Sequence, residues 1–433
     1  MRTATSHRVE AAAVETKVRP GLARRQVYAV AGCYFVASFA ALGLPPYLTE
    51  ILPELGDGAA RWAGLLYVVP TIFGAIGAPL WGRLADRFGR KRLLLRAQLG
   101  LAAAFLLAGW ADSLATFTAA LVIQGVLGGT FAASNGYLGA ALEGHALSRA
   151  LTLMQGSARA ALVCAPIVVG SLTPWLSPHR QYALLAVLPL TAAVMLAALP
   201  EPPRVRTGAP AATAEVEADG TSGVEAAAAE AAAEASGRAP QSSLRALYAL
   251  EFAFVFSTVI SFPYLISLIE ERLPGTGPMV SGVLFALPHL CYLVAAIAVH
   301  SLFGDRPRLG IAIGFGCIAL GLAGHGVADS LTAFIAVRLV LGAGLTLGLV
   351  CMSVLAAHCA KGRAPGGLFG SIEFFSKAGA VAAGVAAAAG NDWFGPTAPV
   401  LTGTAIALIT VLATAAPRLS RTLRTRRSPR CPR

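Results

Sequence analysis

The sequence predicts an all-α membrane protein of twelve transmembrane helices in two pseudo-symmetric six-helix bundles. Three observations predict it. The 433 residues are 56% hydrophobic and only 13% charged, where a soluble domain carries about 25% charged residues. The apolar residues fall into twelve long runs, at 27–48, 62–82, 93–111, 114–141, 156–176, 182–200, 247–269, 277–301, 309–326, 331–357, 366–390 and 396–416. Each approaches the ~20 residues that a helix needs to cross a bilayer. The second half of the chain also repeats the first.

The repeat is visible residue by residue. Ala63–Pro70 (AGLLYVVP) aligns with Ser281–Pro288 (SGVLFALP) at an offset of 218. Ala111-Asp-Ser-Leu114 returns as Ala328-Asp-Ser-Leu331 at an offset of 217, with Phe117 matching Phe334 and Gly125 matching Gly342. An offset of half the chain points to a duplicated six-helix unit. Transporters built this way hold substrate near the bilayer midplane between the repeats.

The charge distribution gives a topology. With the N-terminus placed inside, 28 of the 34 Lys and Arg residues fall in cytoplasmic segments. External loops hold only Arg61, Arg180 and Arg272; Arg96, at the start of the third run, counts with the cytoplasmic cations, and Arg159, Arg338 and Lys377 lie well inside runs. This is the positive-inside pattern with both termini cytoplasmic. It accounts for the +12 net charge without nucleic acid. The expected units are a cytoplasmic segment 1–25, a bundle 26–200, a cytoplasmic linker 201–246, a bundle 247–416 and a basic tail 417–433. Residues 1–25 are polar and no short apolar core with a small-residue cleavage site follows, so the first span is expected to be its own insertion signal. The linker is low in complexity, with an Ala/Glu tract at Glu225–Glu234. The tail suits anionic headgroups of the lipid bilayer. Seven scattered cysteines with no C-x-x-C predict apolar packing, not a metal site or a disulfide framework.

Between the second and third runs, residues 82–92 read GRLADRFGRKR, five cations and one acid bracketed by Gly82 and Gly89. Gly82, Asp86, Arg87, Gly89, Arg90 and Lys91 match Gly-x-x-x-Asp-[Arg/Lys]-x-Gly-[Arg/Lys]-[Arg/Lys]. This resembles the signature loop between the second and third helices of the major facilitator superfamily of transporters. The resemblance implies that Asp86 and Arg90 latch the two halves on the cytoplasmic side. Glu143, at the end of span four, is a candidate partner for one of the loop arginines. The equivalent loop in the second half, Phe303-Gly-Asp-Arg-Pro-Arg308, is degenerate.

Span five carries Ala161-x-x-x-Ala165-Pro166-x-x-Val169-Gly170. It resembles the Gly-Pro motif of drug:proton antiporter-type exporters, with three glycines replaced. The physics survives: small residues at Ala165 and Gly170 admit close helix approach, and Pro166 removes one helical hydrogen bond. Those exporters carry Arg-x-x-Gln-Gly in span four. Here Leu121 stands in the arginine's place before Gln124-Gly125, and the repeat aligns it with Arg338. The first span has no acid between Arg25 and Glu50, another departure from the drug:proton pattern. Residues 67–109 also resemble exporters linked to citrate-type siderophore synthesis.

Ionisable residues inside a membrane are expensive and mark function. They are Arg159, Glu251, His289, Arg338, Glu373 and Lys377, with Glu373 and Lys377 one helical turn apart. The acids and the histidine are the proton-coupling candidates, in the order Glu373, Glu251, His289. Arg159, Arg338, Gln124, Asn135 and Lys377 are the substrate-binding candidates, and the surplus of cations favours an anionic ligand. The chain contains no nucleophile–base or metal constellation, so an enzyme is not expected. The expected function is secondary transport across the cytoplasmic membrane by a monomer: proton-coupled export of a small molecule, drug-like or an anionic metabolite such as a carboxylate siderophore. No cofactor is called for beyond the proton gradient. The alternative is an importer of a small organic solute.

Overall fold

The computed structural model describes residues 24–130, 133–134, 137–138, 142, 144–198, 241–360 and 365–415. The expected terminal segments, most of the linker, Asn135 and Glu143 lie outside them. The described residues form helices joined by turns and short loops. The first half comprises α1 (Arg24–Gly43), α2 (Leu48–Ile51), α3 (Ala63–Phe88), α4 (Arg90–Gly109), α5 (Leu114–Leu127), α6 (Gly144–Leu172), α7 (Pro178–Leu185) and α8 (Val187–Ala197). The second half comprises α9 (Gln241–Val259), α10 (Leu265–Arg272), α11 (Pro278–Phe303), α12 (Pro307–His325), α13 (Leu331–Ala360), α14 (Pro365–Phe394) and α15 (Thr397–Ala415). Among the described residues ten helical stretches are long and apolar enough to span a membrane, and the shorter apolar helices Ala63–Gly77 and Leu114–Leu127 fill the two remaining places.

Prolines and glycines set the interruptions. Spans one and seven both end in a 3-10 turn, Pro45–Tyr47 and Phe262–Tyr264, before the short helices α2 and α10. Pro46 and Pro263 lack the N–H that would extend the α-helix, and they lie 217 positions apart. Span six is jointed at Ala186 between α7 and α8, because Pro189 cannot donate to the carbonyl of Leu185.

Two expectations change in detail. The basic stretch 82–92 is not a loop. α3 and α4 run into it and only Gly89 is non-helical, at φ 99° and ψ 142°, a conformation open to glycine. Span four is not one helix over 114–141. α5 stops at Leu127, and Gly129 follows at φ 88°. Two side chains capture the carbonyls at this break: Trp81 Nε1 donates to Val126 at 2.7 Å and Arg96 Nη2 to Gly128 at 3.2 Å.

Each half packs as a bundle. In the first, α1 lies against α6 and α8, and α5 against α3 and α4; in the second, α9 lies against α14, and α12 against α13 and α15. The halves meet along two helix pairs, α6 with α11 and α3 with α14. These seams are tightest at the end remote from the Gly89 turn, called here the far end. A Cβ on Gly64 would lie 2.6 Å from the Gly384 carbonyl. Gly282 is closed in by the Pro166 carbonyl and Gly170 by that of Pro278. So Pro166 and Gly170 of the span-five motif lie in the seam, while Ala165 packs against α1 at Gly43.

Candidate functional site

At the Gly89 turn, the side chains of Gly82 and Asp86 are not among those described. Arg87 is exposed beside the Phe88 ring. Lys91 Nζ donates to the carbonyl of Ala197 at 2.8 Å, where a cation complements the C-terminal end of α8. Arg90 points the other way, into a cavity.

That cavity, about 480 Å³, runs between α1, α3, α4 and the α5 break, with one wall from α14 of the opposite half. Its polar lining includes Gln124 and Lys377, which the sequence proposed separately, together with Arg90, Arg96 and Thr130. Apolar walls come from Leu42, Leu66, Leu93 and Leu121, and aromatic faces from Tyr67 and Trp81. Among the described lining residues none is acidic. The volume falls within the ~300–1,000 Å³ of small-molecule sites. Arg96 is the notable cation. Its guanidinium sits 3.4 Å from the centroid of Trp81, and its Nε and Nη1 are buried without a hydrogen-bond partner. No described carboxylate is ion-paired with it. Lys377 has Glu373 at 3.3 Å.

A second cluster lies at the seam, midway along the helices. Arg159 of α6 has its Nη1 3.4 Å from Nδ1 of His289 on α11. Arginine only donates, so His289 accepts at Nδ1 and its proton resides on Nε2, which is buried and unpartnered. The same guanidinium lies 5.6 Å from the Tyr292 ring centroid. Glu251 of α9 has Ser376 of α14 as hydrogen-bond partner, and the charges of Arg159 and Glu373 act on it. The fields of Arg159 and Glu373 also reach Tyr34 on α1. Arg159, Glu251, His289 and Glu373 are therefore brought to one region from both halves. Glu373 is the more open acid, with a side chain 65% exposed.

Arg338 stands apart. It is 0% exposed and does not line the cavity. Its Nε donates to the carbonyl of Leu284 at 2.7 Å and its Nη2 to that of Phe285 at 2.8 Å.

The residues that sequence reasoning passed over are Arg96, Trp81, Tyr47 and Tyr264. Arg96, four residues past the basic stretch 82–92, reads in the sequence as a further cytoplasmic cation. The two tyrosines carried a signal, since Pro-Tyr-Leu occurs at 46–48 and again at 263–265.

Comparison with known proteins agrees with this architecture. The chain is 35% identical over 169 residues to the "Multidrug resistance protein MdtG" of Serratia proteamaculans (strain 568), covering 38% of this chain and 39% of that protein. It is 34% identical over 171 residues to the protein of that name in Yersinia enterocolitica, with the same coverage. The similarity thus spans about two-fifths of the curated relatives' length. Among solved structures, a POT family transporter in complex with 5-aminolevulinic acid superposes with a TM-score of 0.70 at 12% identity, covering 92% of this chain and 97% of that one. The human organic anion transporter MFSD10 (TETRAN) gives 0.63 at 19% identity, covering 90% and 99%. At these identities the likeness speaks for the fold. Residues 30–306 match the profile of the family described as Major Facilitator Superfamily, and with the duplicated helical halves and the Gly89 turn already in place, the chain belongs to that superfamily of membrane transporters.

Proposed function

We propose that this chain exports small organic anions in exchange for protons, by alternating access across the cytoplasmic membrane. The observation that carries the substrate class is the cavity: Arg96, Arg90 and Lys377 line it, no described acid does, and apolar and aromatic walls complete it. A site with that balance favours an amphipathic anion over a lipophilic cation. Drug-like acids and carboxylate siderophores share this chemistry. The curated relatives are named for multidrug resistance, which supports export over import. The skewed distribution of Lys and Arg supports a cytoplasmic location for both termini and for the Gly89 turn. The far end then faces outward. The unit boundaries proposed are a bundle over 26–200 and another over 247–416, joined by a linker.

Proton coupling would fall to the seam cluster. Glu251 feels the charge of a cation of the opposite half and of an acid of its own, so its charge bears on how the halves meet. His289 holds Arg159 only while Nδ1 is unprotonated. Asp86 and Glu143 remain candidates for a cytoplasmic latch.

Reconstitution tests this reading. Purified protein in liposomes is expected to show counterflow of labelled organic anions and to drive them against their gradient when a pH gradient is imposed. A preference for lipophilic cations would remove the substrate class. Transport indifferent to the pH gradient would remove the coupling. Anion movement in the same direction as protons would make the chain an importer.

A further inference from the structure

Tyr47 and Tyr264 are 217 positions apart, and so are Arg61 and Pro278, which places both pairs in register with the repeat. The structure joins these four residues crosswise. The Tyr47 hydroxyl of the first half lies 3.2 Å from the Pro278 carbonyl of the second. The Tyr264 hydroxyl of the second half donates to the Arg61 carbonyl of the first at 3.0 Å. Both rings are buried, at 0% and 2% exposure. Both reach the first turn of the helix that opens the opposite half's seam, α11 in one case and α3 in the other.

The two contacts are related by the repeat but unequal. Tyr47 has one proton and two acceptors, and the Pro166 carbonyl of its own half is nearer at 2.6 Å. Its bond across the seam is therefore the weaker branch. Tyr264 spends its proton on Arg61 and accepts from the backbone N–H of Gly64 at 3.1 Å. That N–H belongs to the first turn of α3, where it has no partner within its own helix. Tyr264 thus makes two bonds across the seam and caps a helix of the other half. An ion pair, Arg61 with Asp392 at 3.4 Å, crosses the same seam with side chains 68% and 45% exposed. In that setting it contributes little.

We propose that the Tyr47 and Tyr264 hydroxyls form a reciprocal latch that holds the far end shut, with Tyr264 the dominant member, and that these oxygens set the balance between the two access states. The latch works by position: glycines at 170 and 282 leave room for the Tyr47 hydroxyl to reach backbone. Breaking it exposes a carbonyl on each half and an N–H on one, all of which water can satisfy once the far end opens. The proposal rests on the alternating-access reading, but its test needs neither substrate nor gradient.

The experiment is a distance measurement on the full chain in lipid nanodiscs. Spin labels go on Ala115→Cys and Thr332→Cys, exposed far-end positions on opposite halves, after replacement of the native cysteines. The parent should show mainly the short distance of a closed far end. Tyr264→Phe keeps the ring and removes the oxygen, and it should raise the ratio of open to closed about tenfold, the loss of two hydrogen bonds. Tyr47→Phe should raise it about threefold, and the double variant more than either. Asp392→Asn is the electrostatic control and should leave the distribution in place. An unchanged distribution in the double variant would overturn the latch, as would an Asp392→Asn shift as large as that of Tyr264→Phe. A larger effect of Tyr47→Phe than of Tyr264→Phe would overturn the assignment of the dominant member. A melting scan of each variant shows that it is folded, and the parent's melting point in the Phe variants would attach any shift to the access equilibrium.

Discussion

Arg338 donates its Nε hydrogen to the carbonyl of Leu284, the oxygen that Pro288 leaves without a helical donor four residues on. Its Nη2 takes the next carbonyl, Phe285. The guanidinium thereby repairs a proline gap in α11 from the neighbouring α13. In the first half Pro70 makes the same gap opposite Leu66, but the residue aligned with Arg338 is Leu121 and the space is part of the cavity. One repeat fills this position with an arginine; in the other it borders the cavity. Arg338→Lys keeps the charge but not the fork that spans two carbonyls. It should destabilise the protein by about 1.5–3 kcal/mol, the worth of one hydrogen bond to a charged group, read as a lower melting temperature in detergent with KM unchanged. In a Pro288→Ala background the N–H returns and Arg338→Lys should be milder.

Much of this was legible in the chain. The twelve runs and the split of charge reflect rules that a bilayer imposes on any sequence, namely length, apolarity and the side on which cations stay, and the repeat is visible in the matching residues of the two halves. The alignment pairs Pro70 with Pro288 and Gly125 with Gly342; that each glycine packs on the proline of its own half needed the structure. Side-chain direction was not legible. Arg96 lies six residues from Arg90 and reads as one more cytoplasmic cation, yet α4 carries it nearly two turns inward onto Trp81. The break at Gly128–Gly129 was hidden because hydropathy continues across it. Tyr47 and Tyr264 were overlooked because apolar matches dominate an alignment of spans, while what matters is a single oxygen at the tip of each ring.

Glu251 is the acid most enclosed by the seam cluster, whereas Glu373 is open and already paired with Lys377. Glu251→Gln keeps a hydrogen-bond partner for Ser376 and removes the titration. It should abolish accumulation driven by a pH gradient while leaving exchange of labelled for unlabelled substrate within about twofold, since counterflow needs no net proton movement. Glu373→Gln should retain most of the driven transport. Equal loss of exchange and driven transport in Glu251→Gln would point to a structural role.

The Arg159–His289 contact crosses the halves and depends on a lone pair on Nδ1. Protonation of that nitrogen removes the acceptor and sets two cations side by side. The contact is therefore present when His289 is neutral and lost as pH falls through its titration. His289→Gln offers an amide oxygen that never titrates. Transport rates across a pH series should flatten in this variant on the acid side, with the rate near pH 8 close to the parent's. A variant profile that follows the parent's would exclude His289 as a source of pH dependence.

Arg96 is the cavity cation without a described carboxylate partner. Its neutral replacement, Arg96→Gln, should raise KM for a monoanionic substrate about tenfold, equivalent to ~1.4 kcal/mol of lost attraction, and change KM for a neutral analogue of the same shape far less. Lys377→Ala should act in the same direction but more weakly, because Glu373 already offsets its charge. Binding of the anion and its neutral analogue to each variant, followed by tryptophan fluorescence from Trp81, gives the comparison directly. Equal losses for both ligands would assign Arg96 to the Gly128 carbonyl and the α5 break rather than to substrate.

Gly64 sets how closely α3 approaches α14. A Cβ there would sit 2.6 Å from the Gly384 carbonyl and 2.8 Å from the Ala388 nitrogen. Both are backbone atoms that cannot swing aside, so Gly64→Ala must part the helices at the far end. Arg61 and Asp392, 3.4 Å apart across the same seam, report on that parting when both are changed to cysteine. In an otherwise cysteine-free chain, Arg61→Cys with Asp392→Cys should be bridged readily by a bifunctional thiol reagent long enough to replace the two lost side chains, and adding Gly64→Ala should slow the cross-linking about tenfold, a closed-state penalty near 1.4 kcal/mol. Gly370→Ala, on the same α14 but with nothing within 4 Å of its added methyl, should leave the rate unchanged. Undiminished cross-linking with Gly64→Ala would mean that α3 and α14 do not close against each other in the membrane.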